Sequence, residues 1–455
     1  MIGFVSNGQE AGAVGFNETT TSVCPVCLRA LPARLTEDAA GDVYLERSCP
    51  EHGDFRELVW EGFADLGQWK DHGGITTDEA TISLPPNACP GGCETCTSHL
   101  TRPCCVLLEV TQRCDLGCPV CFAQTGGVGA GDEPTLEEVT SWYDTILARA
   151  GHANIQLSGG EPTLRDDLPQ IITLGRERGF SFFQINTNGL RLATESGYAR
   201  TLKDAGASCV FLQFDGVTDD AYRTLRGRPL LTEKRCAIEA CEQAGLPVVL
   251  VPTVALGVND DQLGDIVHFA MRHAPTVRGI HIQPLARFGR VDATLPGGRL
   301  TIPGVLAALD YQTGGMVSID HFQGGSAESP DCSFSASYRI GPGGALTHLP
   351  ASHPLCCGPA TEPDRVQRAR TANSLRWGTD LASLDVPAEE GSLDAFLQES
   401  RRNAFSITGM AFMDADTLDL VRLRRCYLFI VSRRGALVPF CAYNLTSRDG
   451  CSLYR

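Results

Sequence analysis

The grouping of the cysteines constrains this chain more than any other feature of its sequence. The chain has 20 cysteines in 455 residues, and eleven of them precede residue 122, mostly in closely spaced sets. Disulfides need no such clustering, whereas a metal ion or an iron–sulfur cluster needs several ligands close together. The first residues lack a basic segment followed by an apolar run, so no secretory signal is expected. We therefore expect metal sites rather than disulfides, in a cytoplasmic protein.

Composition narrows the class of protein further. Hydrophobic residues make up 43% of the chain and charged residues 20%, which is the balance of a folded globular protein. The formal net charge of -16 argues against binding nucleic acid through bulk electrostatics. No stretch reaches roughly 18 uncharged apolar residues, so we expect no membrane span. A lipid substrate would have to be reached from outside the bilayer.

The central motif is a loop with three cysteines. Cys114, Cys118 and Cys121 follow a candidate strand, have the spacing C-x3-C-x2-C, and precede an aromatic residue, Phe122. Three thiolates on one tight loop can hold three irons of a [4Fe–4S] cube, whereas simple electron carriers supply four cysteines. The fourth iron then keeps an open coordination position, which a catalytic metal needs. This spacing predicts a catalytic cluster.

A second set of ligands lies near the start of the chain. Cys24 and Cys27 form one C-x2-C knuckle, Cys49 and His52 form another, and a short alternating stretch at residues 42–46 lies between them. Two knuckles on a small hairpin are typical of one tetrahedral ion, either zinc or a mononuclear iron. A distant cysteine remains an alternative fourth ligand.

The remaining clustered cysteines suggest auxiliary sites. Cys89, Cys93 and Cys96 repeat the C-x3-C-x2-C spacing without a glycine-rich partner loop. We expect them to anchor an auxiliary [4Fe–4S] cluster that is completed by a remote cysteine. The candidates for that ligand, and for a further cluster, are Cys332, Cys356, Cys357, Cys426 and Cys441. The expected inventory is one or two auxiliary clusters.

Short apolar runs alternate with helical patterns in the middle of the chain. Candidate strands cover residues 106–110, 154–157, 182–185, 210–214, 248–254 and 279–283, and the candidate helices between them cover 134–150, 167–178, 198–205, 232–244 and 260–272. This alternation is typical of a parallel sheet that is buried on both faces. Six strands in about 200 residues predict an α/β fold, a partial (β/α)6 TIM-like barrel rather than the full eight units.

The barrel pattern divides the chain into four predicted segments. We expect a zinc-ribbon or rubredoxin-like metal domain at 1–70 and an auxiliary-cluster connector at 71–105. The partial barrel should occupy 106–300, and a C-terminal auxiliary iron–sulfur domain with long loops should occupy 301–455. A predicted hairpin at 426–440 lies near the end of the last segment. Cluster-binding extensions would thus precede and follow the barrel along the chain.

Polar residues recur where successive candidate strands end. The second strand leads into Gly159, Gly160, Glu161 and Pro162, where the glycines allow close backbone approach and the glutamate offers an acceptor for an ammonium group. Later strands end with further polar side chains, namely Asn186, Asn188, Gln213, Asp215, Thr253 and Gln283. Barrels place their active sites at this end of the strands, so we expect these residues to bind a cofactor; ordinary turn capping is the alternative.

These motifs together resemble the radical S-adenosylmethionine (SAM) superfamily. The resemblance rests on the Cys114 loop with its aromatic residue, the segment 158–169, and the strand ends 184–189, 212–217 and 249–254. Both N-terminal knuckles, the Cys89 set, His353-Pro354 with its adjacent cysteines, and residues 439–444 are similar to one subfamily. That subfamily contains archaeal tetraether lipid synthases and methyltransferases linked to pterins or to methylenetetrahydrofolate.

The resemblance implies a function. The open cluster would bind SAM, and an external one-electron donor of the flavodoxin or ferredoxin type would drive its cleavage to a 5′-deoxyadenosyl radical. The radical would functionalise an unactivated carbon of a small-molecule or lipid substrate, by C–C bond formation or methylation. Two alternatives remain open, a radical SAM enzyme that modifies a peptide and a non-catalytic iron–sulfur electron-transfer protein.

Overall fold

The architecture is taken from a computed structural model of the chain. It describes residues 16–72, 89–94, 96, 99–125, 133–325, 327–350, 361–378, 381, 389 and 392–455. Cys356 and Cys357 lie outside these described residues.

The N-terminal unit is a small antiparallel sheet. Its four strands are β1 (Asn17–Val23), β2 (Ala30–Glu37), β3 (Val43–Cys49) and β4 (Gly53–Trp60), paired in that order. The first cysteine knuckle lies in the turn between β1 and β2, and the second in the turn between β3 and β4. Two adjacent turns of one antiparallel sheet bring the knuckles together, as the sequence predicted.

Parallel strands form the centre of the molecule. The six predicted strands are present as β5 (Cys105–Thr111), β6 (Asn154–Gly159), β7 (Phe183–Thr187), β8 (Cys209–Gln213), β9 (Val248–Val251) and β11 (Val277–Pro284). Each pairs in parallel with its neighbour in that order. All seven residues of β5 are buried, as expected for a sheet covered on both faces. The predicted α/β partial barrel is confirmed.

Two further parallel strands come from the C-terminal third of the chain. β15 (Ala404–Met410) pairs with β11 at one edge, and β16 (Leu428–Val431) pairs with β5 at the other. The parallel run therefore has eight strands among the described residues, two more than the sequence predicted. Among the described strands the sheet does not close, because further antiparallel strands occupy both ends.

The antiparallel additions complete the large sheet. β13 (Ser333–Ile340) pairs with β15, and β12 (Gln323–Gly324) and β14 (Leu346–Leu349) pair with β13. At the other end β17 (Leu437–Pro439) pairs with β16, which confirms the predicted late hairpin. A short strand, β10 (Thr253–Val254), pairs with β11.

Helices connect and cover the strands. They are α1 (Leu66–His72), α2 (Leu136–Ala150), α3 (Leu168–Glu177), α4 (Leu190–Thr194), α5 (Tyr198–Ala205), α6 (Asp219–Arg226), α7 (Leu231–Ala244), α8 (Leu263–Arg272), α9 (Ile302–Gln312), α10 (Glu362–Trp377), α11 (Leu393–Arg402), α12 (Leu420–Leu423) and α13 (Phe440–Tyr443). α2 begins after Thr135, whose side chain accepts from the Glu138 amide while the Glu138 carboxylate accepts from the Thr135 amide. This reciprocal cap satisfies amides that a helix start leaves free.

Helix α10 lies across the amino ends of the barrel strands. Arg370 donates hydrogen bonds to the carbonyl oxygens of Pro103 and Ala150, at 2.5 and 2.8 Å, just before β5 and β6. The Asn154 side chain donates to the Arg370 carbonyl oxygen at 3.2 Å, and the Trp377 indole donates to Ser406 Oγ at 3.3 Å. α10 therefore covers the end of the barrel opposite the cysteine loop.

The N-terminal sheet packs against the loop that precedes α12. The buried guanidinium of Arg47 donates to the carbonyl oxygens of Val23, Ala415 and Asp416, at 2.9, 3.2 and 2.7 Å. Arg299 contacts both Glu57, at 3.1 Å, and Asp414, at 3.0 Å. The buried Arg47 and the half-buried Arg299 thus join the N-terminal sheet to this loop.

None of the described helices is both long enough and apolar enough to cross a bilayer.

Candidate active site

The loop after β5 carries the three cysteines of the central motif, and Arg290 holds it in place. Cys121 and Arg290 exchange two backbone hydrogen bonds of 2.9 and 3.0 Å. The Arg290 side chain donates to the carbonyl oxygens of Cys118 and Thr125, both at 2.8 Å. No motif in the sequence pointed to Arg290. Its segment follows β11 and lies more than 160 positions after the cysteine loop along the chain.

All three thiols line one cavity of about 250 Å³ that runs through the barrel to α10. Most of the predicted cofactor-binding residues line the same cavity, namely Phe122, Gly159, Gly160, Glu161, Asn186, Asn188, Gln213, Thr253 and Gln283. Pro162 and Asp215 are not part of the lining. Pro162 begins a short turn behind the glycines, and Asp215 is fully buried next to a cavity residue.

Burial raises the pKa of two of the three motif thiols. It raises the pKa of Cys114 to about 12. It also raises the pKa of Cys118, where the nearby Arg226 guanidinium opposes the shift. Both groups therefore stay protonated near neutral pH until a metal displaces the proton. Three soft sulfur ligands around one cavity suit an iron–sulfur cluster.

The two glycines after β6 let its loop pack directly on the base of the cysteine loop. The Gly160 amide donates to the Thr111 carbonyl oxygen at 2.8 Å, and the Glu161 amide donates to the Arg113 carbonyl oxygen at 2.7 Å. A Cβ at Gly160 would lie 2.0 Å from that Arg113 oxygen, and one at Gly159 would lie 2.2 Å from the Thr111 oxygen. The close approach is thus to the chain's own backbone.

The Glu161 carboxylate ties the ends of β6 and β7 together. It accepts from the Thr163 amide at 3.1 Å, from the Thr163 and Thr187 hydroxyls at 2.6 Å, and from the Asn188 amide at 2.7 Å. A carboxylate offers about four acceptor positions, so these donors use most of its capacity. Burial raises the pKa of Glu161, although these hydrogen bonds oppose the shift.

Asn188 connects the end of β7 to the cysteine loop. Its side-chain amide donates to Asp115 Oδ1 at 2.6 Å, inside the three-cysteine motif. Its carbonyl oxygen accepts from the fully buried Lys234 ammonium of α7 at 2.5 Å. Burial lowers the pKa of Lys234 to about 8, while Asp215 opposes the shift. The sequence analysis missed Lys234, since one lysine on an amphipathic helix gives no signal.

Asp215 acts through Arg226 instead of facing the cavity. Its carboxylate accepts two hydrogen bonds from that guanidinium, at 2.7 and 2.6 Å, and the ion pair is buried. Arg226, at the end of α6, lines the cavity and also donates to Thr253 Oγ1 at 2.9 Å. Asp215 therefore positions a cation that the sequence analysis did not single out.

An inner layer of residues lines the cavity toward α10. Gln156, Gln184 and Asn186 come from β6 and β7, where Gln156 and Gln184 are register partners. Phe211 and His281 face the same space from β8 and β11. Gln184, Phe211 and His281 each lie two positions before a predicted strand-end residue, namely Asn186, Gln213 and Gln283, whereas Gln156 lies two positions before Ser158. The period-two alternation of buried strands could have identified this layer.

The N-terminal knuckles form a compact set of ligands. One ligand atom each from Cys24, Cys27, Cys49 and His52 lie within 4.8 Å of one another, and no other such set occurs in the part of the chain that is described. The His52 Nδ1 atom lies 3.5 Å from the Cys24 sulfur and 3.4 Å from the Cys49 sulfur. The two knuckles together offer three sulfurs and one nitrogen, a set that can hold one tetrahedral ion.

The Cys89 set lies in a buried cluster near the carboxyl terminus. The sulfurs of Cys89 and Cys93 are 3.6 Å apart, and Cys96 lies half-buried against the same apolar cluster. The Cys93 amide donates to the Tyr454 hydroxyl at 2.9 Å. The short spacing of these three cysteines along the chain therefore keeps them in one part of the structure.

The late cysteines come together from distant positions. Burial, and then the nearby Cys426 and Cys332, raise the pKa of Cys441. The Arg422 guanidinium donates to the Cys332 sulfur at 3.3 Å. Cys356 and Cys357 lie outside the described residues, so their place relative to this group stays a prediction.

Comparisons with known proteins agree with this geometry. A family profile described as the radical SAM superfamily matches residues 108–270. A profile described as the HMPTM N-terminal zinc ribbon domain matches residues 16–61. The second match covers the N-terminal sheet, and the first covers the part of the large sheet that runs from β5 to β9.

One curated relative matches almost the full chain. The 7,8-dihydro-6-hydroxymethylpterin dimethyltransferase of Methanocaldococcus jannaschii is 31% identical, and the alignment covers 94% of each protein. The GTP 3′,8-cyclase of Listeria monocytogenes is 29% identical over 40% of this chain and 55% of its own length. Among solved structures, Streptococcus suis SuiB is 13% identical with a TM-score of 0.39 over 47% of each chain.

Proposed function

Because this chain belongs to the radical SAM superfamily, we propose that it cleaves SAM reductively and functionalises an unactivated carbon of a small molecule by methylation. The observation that carries the proposal is the cavity that joins the three motif thiols to the polar strand ends. Support for methylation comes from the full-length similarity to a pterin dimethyltransferase. A pterin-like substrate follows from the same similarity.

Three residues would hold the [4Fe–4S] cluster in this proposal. Cys114, Cys118 and Cys121 would be its ligands, and Phe122 with the strand-end residues would surround SAM. When bound, the cluster would supply the electron and SAM, on losing methionine, would supply the 5′-deoxyadenosyl radical that takes a hydrogen atom from the substrate.

The chain's own residues orient and protect that chemistry. Asn188 and Arg290 hold the cysteine loop through Asp115 and the backbone of Cys118. Asp215 keeps the Arg226 cation beside the cavity. Helix α10 covers the far end of the barrel, which limits access of water to a reactive intermediate.

Auxiliary iron–sulfur clusters are part of the proposal. Cys89, Cys93 and Cys96 would anchor one, and Cys332, Cys426 and Cys441 would contribute to another, with Cys356 or Cys357 as candidate ligands. Support comes from one apolar cluster that contains Cys89, Cys93 and Cys441 buried and Cys96 and Cys426 half-buried, and from the proximity of Cys332 to Cys441. The Cys93→Ala variant should retain some SAM cleavage but form no methylated product. Its iron content should fall by that of one cluster.

The remaining partners follow from the chemistry. A flavodoxin or ferredoxin would deliver the electron, and the N-terminal ribbon would hold zinc or a single iron. We place the enzyme in the cytoplasm, where thiols stay reduced. Whether SAM or a folate supplies the methyl carbon is an outcome of the assay below.

The test is an anaerobic assay of the reconstituted protein. With dithionite and SAM, the wild type should form 5′-deoxyadenosine, and Cys118→Ala should reduce the yield at least about a hundredfold because it removes a cluster ligand. The exposed Cys451→Ala variant is the matched control and should behave as the wild type.

The same assay tests the methylation. Mass spectrometry of 7,8-dihydro-6-hydroxymethylpterin, incubated with SAM and with or without methylenetetrahydrofolate, should detect one or two added methyl groups. A wild-type protein that contains iron but forms no 5′-deoxyadenosine contradicts the whole proposal. SAM cleavage with an unaltered pterin contradicts the proposed substrate.

A further inference from the structure

We propose that the inner end of the cavity binds a flat, uncharged nitrogen heterocycle, with its polar edge on a row of amides and its faces near an aromatic wall. This end, here called the inner chamber, is lined by Gln156, Gln184, Asn186, Phe211, His281 and Trp377. The inference rests on the proposed function and goes beyond it by naming the residues that select the substrate.

The amide row offers a directional hydrogen-bonding edge. Gln184 Nε2 donates to Asn186 Oδ1 at 2.6 Å, and Asn186 Nδ2 donates to Gln156 Oε1 at 3.4 Å. Each amide group carries donors on one side and an acceptor on the other, so the row presents both kinds of group to the chamber. The edge of a fused aminopyrimidine lactam also alternates donors and acceptors. A hydrocarbon chain would displace water without offering partners to the amide donors and acceptors that the row itself does not use, which disfavours a lipid.

Three rings continue the chamber wall beside the amide row, and one of them, Phe211 of β8, is the register partner of Asn186. The Phe211 and Trp377 ring centroids lie 5.0 Å apart at 79°, and the His281 ring lies 5.7 Å from Phe211 and 6.0 Å from Trp377. Rings in edge-to-face contact present both faces and edges to a flat ligand, and such contacts suit a heteroaromatic ring. Trp377 also holds its orientation through Ser406.

The described residues that line the chamber offer no free positive charge for a phosphate. Among the described residues that line the whole cavity, the charged side chains are Glu161 and Arg226, both near the cysteine loop. Arg226 is paired with Asp215, and burial lowers the pKa of His281 to about 4, so its ring is neutral at pH 7. Arg376 is near, with Cζ 5.8 Å from the Trp377 ring centroid, but it is not part of the lining. A nucleoside triphosphate would therefore lack a counter-charge.

The experiment measures binding without turnover. Reconstituted holoenzyme under argon is dialysed to equilibrium against 7,8-dihydro-6-hydroxymethylpterin, with GTP and a dialkylglycerol lipid in micelles as competitors. Gln156→Leu and Gln184→Leu should each weaken pterin binding at least about tenfold, because each leaves ligand groups unpaired. Gln367→Leu, on the exposed face of α10, is the matched control.

A second readout uses the aromatic wall. The chain has four tryptophans, and only Trp377 lines the cavity among the described residues. Pterin should quench tryptophan fluorescence in the wild type, and Trp377→Phe should lose most of that change while its iron content is retained. If Gln184→Leu does not fold, the half-buried Gln156 position still tests the amide row.

The outcomes separate this inference from the proposed function. Unchanged pterin binding in both glutamine variants would overturn the inner chamber, and so would GTP or lipid competing as well as the pterin itself. Failure of the wild type to form 5′-deoxyadenosine would instead overturn the proposed function. Tight, glutamine-dependent pterin binding supports the chamber irrespective of turnover.

Discussion

At the scale of single residues, the glycine pair at the end of β6 shows that a motif expected to contact a ligand can be required by the fold itself. Gly159 and Gly160 lie so close to the backbone of residues 111–113 that neither position has room for a Cβ. Two backbone hydrogen bonds cross this contact. The sequence correctly identified a close approach, but the partner is the segment that leads into Cys114.

Gly160→Ala tests this role. The added Cβ would meet the Arg113 carbonyl oxygen at 2.0 Å, so one of the two backbones must move, at a cost of roughly 1–3 kcal/mol. We expect a lower thermal midpoint and less iron retained after reconstitution. Gly297→Ala is the control, since a Cβ there meets nothing within 4 Å. Equal iron content in the two variants would show that the contact does not support the cysteine loop.

The buried pair of Asp215 and Arg226 makes a second prediction at this scale. Asp215→Ala leaves a buried guanidinium without its partner, and we expect a loss of roughly 3–5 kcal/mol of stability. Asp220→Ala is the matched control, because its partner Arg223 lies on the same helix but both side chains are mostly exposed. That variant should lose roughly 1 kcal/mol or less.

Thermal unfolding followed by circular dichroism compares the two variants. A midpoint for Asp215→Ala as high as that of Asp220→Ala would mean that Arg226 finds another anion or water, and that Asp215 is not its essential partner.

At the scale of elements, α10 has the clearest role that the sequence did not indicate. Its residues reach β5, β6 and β15 from the amino ends of these strands, through Arg370, Asn373 and Trp377. Its helical pattern is polar, with a mean hydropathy typical of an exposed helix, so no local signal connects it to a barrel lumen. The helix converts an open barrel end into the floor of a cavity.

Arg370→Met tests the attachment of α10. The variant loses the hydrogen bonds to the Pro103 and Ala150 carbonyl oxygens, so we expect faster hydrogen–deuterium exchange in α10 and at the start of β5. Arg368→Met, on the exposed side of the same helix, should exchange as the wild type does. Exchange rates that are equal in both variants would indicate that other contacts hold the helix.

At the scale of the whole molecule, two arginines join the N-terminal sheet to the rest of the fold. Arg47 extends from the N-terminal sheet to the carbonyl oxygens of Ala415 and Asp416, and Arg299 connects Glu57 to Asp414. The ribbon thus contacts the loop before α12, and its four candidate ligands do not line the catalytic cavity among the described residues. Its metal would stabilise the sheet and its docking surface.

Removing one ribbon ligand tests this division of roles. Cys27→Ser should reduce the metal content by one ion and increase hydrogen–deuterium exchange across residues 16–61, because a structural metal contributes directly to folding. Formation of 5′-deoxyadenosine should persist, since the cysteine loop lies in the other sheet. Cys451→Ser is the control. Loss of SAM cleavage with unchanged exchange in the ribbon would contradict a structural role.

The sequence alone determined the parts of this protein that depend on neighbouring positions along the chain. The six barrel strands, the helices between them, the two knuckles and the three-cysteine loop all follow from periodicity or spacing within about ten residues. The strand-end residues followed as well, because parallel strands place their carboxyl ends at one edge. Most of them line the cavity.

Only the tertiary structure decided which distant segments meet. β15 and β16 join the two edges of the parallel run, α10 covers its amino end, and Arg226 and Arg290 reach the cysteine loop from separate elements. The free energy of these contacts comes from burying surfaces and pairing groups that are a hundred or more residues apart, and no local window of sequence contains both partners. Spacing along the chain predicted the chemistry, and long-range packing determined the space in which it occurs.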